Sequence, residues 1–410
     1  MIRSCSLFVL LAATAIAQPL DSLVEEALRN NREILAAQKK YEAARQRPSQ
    51  ASALPDPTVS LGYTSVGAPY PVAGLGSQVT ANAGLMISQE MPYPGKQKLR
   101  GEIAAKAADA EFQEYLTVRL SVTARLKQAY HELHHATVGV MFTQRYQELL
   151  QSILNVAEAR YASGKAAQQD IFKAQTQYSI LQAQMLRYQQ EKASKQIEIN
   201  ALLNRAGDAT VEAPIDMAVG EMPGTLDEML AHARTMAPML VRDQKNIERS
   251  ELAANLARKD YYPDYTLSGG YFNQGSMAPM WQFRVDFKLP AYFWKKQRAA
   301  VTEQEFSTAE ARHTYESTHN EIEARIRNAY IMADTAHRLT ELYDKSVIPE
   351  AKLALESSLA GYQTGSLDFL AVYSNFMNVV DNELMYHEEV MQFHVALAQL
   401  EEMTGGEVKQ

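Results

Sequence analysis

From Trp281 to Leu289 apolar and polar side chains alternate without a break. Trp281, Phe283, Val285, Phe287 and Leu289 fall on one face, and Gln282, Arg284, Asp286 and Lys288 on the other. A period of two is that of a β-strand with one apolar and one wetted side. Val79, Ala81, Ala83, Leu85 and Ile87 repeat the pattern more weakly in the first half of the chain. Partner strands are expected at Thr58–Ser65, where Val59, Leu61 and Tyr63 share a face, and at Thr266–Asn273. Turn-rich loops, Gly67–Ser77 and Gln274–Pro279, join each pair. The pattern therefore predicts four strands, at about 57–66, 78–90, 264–273 and 280–290, each near the ~9–11 residues that a tilted strand needs to cross a bilayer.

The rest of the chain carries helical spacing. Lys96 to Tyr161 holds no proline and only two glycines, and its roughly 66 residues suffice for a helix of about 100 Å. A Tyr161-x-x-Gly164 break follows, then a helical run to about Asn204, roughly 39 residues or ~58 Å. The missing ~40 Å matches the opening run Asp21–Arg47, roughly 27 residues, so two shorter helices end to end balance one long one. The second half repeats the arithmetic with Lys296–Gly361 long, Leu367–Thr404 short and Asp227–Lys259 as the complement, and its break is Tyr362-x-x-Gly365. Val122, Leu126, Ala129, Leu133, Ala136 and Val140 step by four and three, as do Ile322, Ile326, Ala329, Ala333 and Ala336. Small residues at these seams allow close left-handed packing. Pro349 should kink or open the second long helix.

The two halves are thus copies of one unit. Leu20-Asp21 and Leu226-Asp227 open them, Leu54-Pro55-Asp56-Pro57 and Tyr262-Pro263-Asp264 precede their strands, and Ala124-Arg125-Leu126 is echoed by Ala324-Arg325-Ile326. A duplicated unit buries its apolar face against its copy or another chain. The organisation read from this is a signal at 1–17, a first repeat at 18–205, a linker at 206–225, a second repeat at 226–404 and a tail at 405–410.

Composition narrows the class. Met1-Ile2-Arg3, the apolar run from Leu7 to Ala13 and the small-residue site Ala15-Ile16-Ala17 read as a secretory signal cut before Gln18. The one cysteine, Cys5, lies inside that signal, so the mature chain has neither a disulfide nor a cysteine-based metal site or nucleophile. The net charge of −8 is spread without a basic block, which argues against nucleic acid as a partner. No run of about 18 apolar residues follows the signal, so any membrane crossing is made by strands. Four strands cannot close: an open edge in lipid leaves backbone groups unsatisfied at several kcal/mol each, and the smallest common membrane barrels have about eight strands. Several chains must share one barrel. Tyr63, Tyr70, Tyr93, Tyr261, Tyr262, Tyr265, Tyr271, Tyr292, Phe293 and Trp294 collect at the strand ends, as an interfacial girdle would. Taken alone, the strands would also suit a soluble sandwich with aromatic turns.

Signal, duplicated halves, strand pairs, long and short helices and two Tyr-x-x-Gly tips together resemble the TolC family of bacterial outer-membrane efflux proteins. The most specific words are Leu54-Pro-Asp-Pro57, Ser88-Gln-Glu-Met-Pro-Tyr-Pro-Gly-Lys96 and Tyr362-Gln-Thr-Gly-Ser-Leu-Asp-Phe-Leu370, which look most like its heavy-metal and cation branch. The resemblance implies a mainly α fold with a membrane β-portion: a homotrimer whose 12-stranded barrel continues into an α-helical barrel in the periplasm, with 207–225 and the tail about the middle of the helices. It implies a passive exit duct that exports cargo, metal cations among the candidates, delivered by an inner-membrane pump of the RND type and a periplasmic adaptor. Tyr161, Gly164, Tyr362 and Gly365 would then sit at the tips facing those partners, and Trp281, Phe283, Val285, Phe287 and Leu289 would face outer-membrane lipid. Relatives place entrance acids six and nine positions after the second-tip glycine and an arginine two after it. Here those positions hold Ala371, Ser374 and Leu367. Asp170 matches the acid of the first tip, and Asp368 is the candidate for a displaced ring, though each also suits an ordinary helix start.

Two further patterns compete for attention. His131-Glu132-Leu133-His134-His135 satisfies the H-E-x-x-H zinc-peptidase signature. Leu133 occupies the helical seam and no third ligand follows, so the motif reads as a solvated helix face, and neither enzyme activity nor a cofactor is expected. Met217, Met222, Met229, Met236, Met239, Met277 and Met280 cluster loosely; thioethers suit soft metals, but methionine more often fills gaps. The alternative to a duct is a periplasmic coiled-coil adaptor or scaffold without a pore, which would have no use for the lipid-facing strand Trp281–Leu289.

Overall fold

The computed structural model describes residues 19–406, so the expected signal with Cys5, and residues 407–410 of the tail, lie outside the described residues. The chain is mostly helical with one antiparallel sheet. In order come α1 (Leu20–Asn30), α2 (Arg32–Ala44), α3 (Arg47–Ser52), β1 (Thr58–Thr64), β2 (Asn82–Met91), α4 (Lys96–Ala162) and α5 (Gln168–Leu203). The second copy follows as α6 (Leu226–Met236), α7 (Pro238–Lys259), β3 (Asp264–Asn273), β4 (Met280–Lys288), α8 (Lys296–Leu342), α9 (Ile348–Thr364) and α10 (Phe369–Thr404).

Several boundaries differ from the sequence reading. β2 begins at Asn82, so Val79 and Ala81 precede it; this stretch is held instead by the Ala81 N–H on Gln78 O (3.1 Å) and the Gln274 amide on Val79 O (2.6 Å). β4 stops at Lys288, leaving Leu289 exposed beyond it, because Pro290 brings no N–H to a ladder. The expected long helix Lys296–Gly361 is divided by a π-helical turn at Tyr343–Val347, just before Pro349, the ring having displaced the regular bonds one turn upstream. The first helical run is interrupted at Asn31, which holds an extended conformation with ψ 129°. Its Oδ1 accepts from the N–H groups of Glu33 (2.9 Å) and Ile34 (3.2 Å), starting α2, while its Nδ2 donates to Leu202 O (2.8 Å) in the last turn of α5. One buried side chain thereby satisfies the orphan groups of two helix ends. The second copy breaks after the same 11 residues, where Pro238 starts α7.

The residues form two compact units, each drawing on both repeats. Of the described residues, one comprises 19–36, 116–237 and 321–406, the other 37–115 and 238–320. In the first unit the predicted seams are buried at Val122, Leu126, Ala129, Leu133 and Ala136 and at Ile322, Ile326, Ala329, Ala333 and Ala336. Val140 is half-buried and Val138 takes the inner place. Near the hairpin ends a core of Leu150, Leu181, Leu355, Phe369, Phe376 and Val380 joins α4, α5, α9 and α10.

The second unit holds the sheet, ordered β1-β2-β3-β4. Its central pairing, β2 with β3, joins the two repeats. The register puts Val59, Leu61 and Tyr63 opposite Ile87, Leu85 and Ala83; Leu85 opposite Tyr271; and Leu267, Gly269 and Tyr271 opposite Val285, Phe283 and Trp281. Directly opposed residues share a face, so one side of the whole sheet is apolar. The other carries Thr58, Ser60, Ser88, Thr266, Ser268, Gln282, Arg284 and Asp286.

Candidate functional site

The sheet is a site by virtue of what it leaves uncovered. Leu61 is 82% exposed and Phe283 84%, and Val59, Tyr63, Trp281, Val285 and Phe287 are all exposed. No second layer covers this face among the described residues, although burying one such side chain is ordinarily worth about 1.5–3 kcal/mol. Both outer strands, β1 and β4, keep one edge without a neighbour among the described residues. No helix among the described residues is long and apolar enough to cross a membrane.

The base of the sheet is fastened by the two sequence words that flank it. Gly95 adopts φ 90°, which only glycine takes without strain, and delivers Lys96 into a site where it is 2% exposed. Its ammonium donates to Asp264 Oδ1 (2.9 Å) and Tyr262 O (3.2 Å) and pairs with Asp260 (3.1 Å). The Tyr93 N–H donates to the same Asp264 oxygen (2.7 Å), and the Tyr93 and Tyr262 rings stack with centroids 4.5 Å apart. Pro-Tyr-Pro-Gly-Lys of the first repeat thus locks onto Tyr-Tyr-Pro-Asp of the second.

In the other unit the two Tyr-x-x-Gly breaks are helical hairpin tips. Gly164 (φ 71°) and Gly365 (φ 87°) both hold the left-handed conformation that ends a helix. The N–H of Lys165 reaches Arg160 O (2.8 Å), and that of Ser366 reaches Gly361 O (2.9 Å). The tyrosines part company: Tyr161 is exposed, whereas Tyr362 is buried against Phe369. Tyr362 therefore offers no open contact surface of its own, contrary to the expectation for both tips. Above its ring lies the Arg160 guanidinium, 4.6 Å from the centroid, which also donates to Tyr362 O. Burial first, and then the charge of Asp170, pushes the Tyr362 phenol up, with Arg160 opposing. Asp368 is exposed and serves as the N-cap of α10, its Oδ1 accepting from Ala371 N–H (3.0 Å). Asp170 lies half-buried in the first turn of α5. Leu367 stands where relatives carry an arginine, and the arginine at this tip, Arg160, comes from the facing hairpin. An open groove between the tips is lined by Asn155, Ala159, Ser163, Lys165, Gln363 and Thr364.

The H-E-x-x-H stretch is not a solvated helix face. His131 and His134 are buried. His131 stacks on His394, centroids 4.5 Å apart and planes 5° from parallel, with its Nδ1 3.1 Å from Met217 Sδ. His135 packs on Tyr188 instead, and Glu132 pairs with Lys195 (2.6 Å), so the groups a zinc peptidase would converge are turned to separate partners. The reason is the linker: residues 215–218 lie over α4 and α10, anchored where His134 Nε2 meets Ile215 O (2.9 Å) and His394 Nε2 meets Ala218 O (3.2 Å). Among the described residues no group of three or more His, Cys, Asp or Glu is placed to hold a metal ion.

Burial holds His131 down to about 2 and His387 and His394 down to about 4, and it lowers His134 and His135 as well. Lys127, paired with Glu401 (2.5 Å), and the neighbouring imidazoles push the same way, while Asp216, Glu132, Glu191, Glu383 and Glu388 oppose. A histidine neutral in the fold and ordinary when unfolded contributes its full stability above 6.5. That stability drains as pH falls towards about 4, by up to ~1.4 kcal/mol per pH unit for each histidine, because the unfolded chain binds the extra protons. Thermal unfolding in detergent should show a midpoint that drops steadily between pH 7 and pH 5, with a shallower slope in His387→Gln. A midpoint level across that interval would contradict the account.

Two stretches, residues 23–205 and 229–406, match the family model described as outer membrane efflux protein. The chain belongs to that family. It is an outer-membrane efflux channel. The outer membrane protein TolC of Vibrio cholerae serotype O1 is 20% identical over 418 residues, covering 96% of this chain and 93% of its own, and that of Salmonella enteritidis is 21% identical over 368 residues, covering 85% and 74%. Among solved structures, CusC superposes with TM-score 0.81 at 16% identity over 96% of this chain and 93% of its own. VceC of Vibrio cholerae gives 0.81 at 18% over 95% and 97%, and the open-state channel MtrE of Neisseria gonorrhoeae 0.79 at 18% over 95% and 89%.

Proposed function

We propose that this outer-membrane efflux protein is the passive exit duct of a tripartite system. In this reading three copies join their four-stranded sheets edge to edge into a 12-stranded barrel, and their helices continue into the periplasm as an α-helical barrel. The observation that carries it is the sheet: apolar on one face, polar on the other and, among the described residues, unpaired at both edges. In lipid those edges must close on something, and further copies of the same sheet supply matching strands. The apolar face, from Trp281 to Phe287, then meets lipid and the polar face lines a wet lumen.

At the hairpin tips Tyr161, Gly164 and Gly365 and the groove beside them would present the docking surface to an adaptor and an inner-membrane pump of the RND type, with Tyr362 holding the hairpin together from inside. Asp170 and Asp368, repeated by three-fold symmetry, would form acid rings that favour cations, as charge rings do in channels, so metal cations fit as cargo. Energy would come from the pump.

The test is single-channel conductance of detergent-extracted protein in a planar bilayer, with its mass in detergent recorded alongside. The expected result is a trimer with cation-preferring steps whose preference weakens in Asp368→Asn. A monomer without conductance would favour the scaffold; steps with unchanged selectivity in Asp368→Asn would move the entrance acids elsewhere.

A further inference from the structure

The sequence presents His131 within a zinc-like motif and Met217 within a loose methionine cluster, and neither alone means much. Folding brings them together: His131 Nδ1 and Met217 Sδ stand 3.1 Å apart, near enough for one ion to bridge. A second imidazole, His394, lies face to face with His131. Its Nε2 is engaged by Ala218 O (3.2 Å), which assigns the proton to Nε2 and leaves Nδ1 as a lone-pair donor. A backbone carbonyl on the remote ring nitrogen is the arrangement that orients metal-binding histidines.

We propose that His131, Met217 and His394 form a binding site for a soft monovalent transition-metal cation of the Cu(I) or Ag(I) class. Two imidazoles and a thioether are neutral, polarisable donors, which suit such ions and serve divalent zinc poorly. The same preference follows from the absence, among the described residues, of a third His, Cys or carboxylate converging on the pair. His131 is buried while Met217 and His394 are half-exposed, so the site has a fixed donor at its base and two at its mouth. Met217 rides on the segment pinned by the Ile215 and Ala218 carbonyls, and it is therefore held over the ring stack rather than free to swing away. In the face-to-face stack the in-plane lone pairs of the two imidazoles do not converge, so binding requires that His131 carry its proton on Nε2 and that the His394 ring rotate about its contact with Ala218 O until Nδ1 faces the ion held by His131 and Met217. The site stands on this donor set and not on the reading of the cargo.

The experiment is calorimetric titration of the full chain in detergent with silver nitrate, in chloride-free buffer near neutral pH, with zinc sulfate as the comparison. One silver ion per chain should bind far tighter than zinc. Met217→Leu, which keeps the apolar volume, should weaken it at least tenfold, and the double variant His131→Gln with His394→Gln should abolish it while circular dichroism stays unchanged. X-ray absorption at the silver edge should show mixed nitrogen and sulfur neighbours, with sulfur lost in Met217→Leu. No tight silver binding, equal zinc affinity, or silver binding that survives Met217→Leu with its sulfur shell intact would each overturn the proposal.

Discussion

Gly84→Val should abolish insertion into the outer membrane, whereas Gly62→Val, on the neighbouring strand and directly opposite, should be tolerated. The two glycines pair across β1 and β2 and share the polar face, yet a Cβ on Gly62 would meet nothing within 4 Å. A Cβ on Gly84 would come within 2.2 Å of Tyr271 O and 2.7 Å of Phe272 Cα, both backbone atoms of β3. Backbone cannot step aside as a flexible side chain can, so β2 must part from β3 where the two repeats meet. Every N–H and C=O freed there costs several kcal/mol in lipid, and the loss of a few exceeds the ~5–15 kcal/mol that holds a typical fold together. Membrane fractionation and bilayer conductance read the outcome. Normal insertion of Gly84→Val with native conductance would show that the β2–β3 contact is looser than described.

The second large effect is expected of Lys96→Met. Lys96 is almost wholly buried and joins Asp264, Asp260 and Tyr262 O. Methionine fills the space but leaves Asp264, whose side chain is 18% exposed, with one N–H donor in place of two. Removing one member of a buried ion pair costs about 3–5 kcal/mol, most of it from the stranded charge. The partial exposure of Asp264 puts the expected loss at the lower end, about 3 kcal/mol. The midpoint of guanidinium unfolding in detergent should fall accordingly, and Asp264→Asn in the same chain should restore a good part of it, since the amide carries no charge to strand. A double variant no more stable than Lys96→Met would assign the cost to lost packing instead.

Much of this fold was legible because its periods are clean. Alternation from Trp281 to Phe287 needs only the two-residue repeat of a strand, and the seams at Leu126 and Ile326 need only the helical repeat. The left-handed tips were marked by Gly164 and Gly365 and the opened helix by Pro349, residues whose backbone chemistry acts through local geometry alone. Where a boundary depended on a distant partner, the reading drifted. Asn31 suits a helix start wherever it occurs, but the partner that fixes the break here, Leu202 in α5, lies some 170 positions away and leaves no mark on the local sequence.

The sites divide on the same line. Sequence placed Tyr161, Tyr362, Asp170 and Asp368 at the tips but had no means of separating them. Burial of Tyr362 under Arg160, and the use of Asp368 as a helix cap, depend on how two hairpins pack. The histidines show it most plainly: a polar residue on a helix reads as solvated unless something covers it, and the cover here is a linker of no regular structure crossing from Ile215 to Ala218. By itself, then, the sequence determined the two kinds of element and the family, since these rest on periods and short motifs along one chain. Only the tertiary structure decided which side chains meet, because the meeting of His131 with Met217 and His394, of Lys96 with Asp264 and of Arg160 with Tyr362 is a property of packing between segments far apart in the chain.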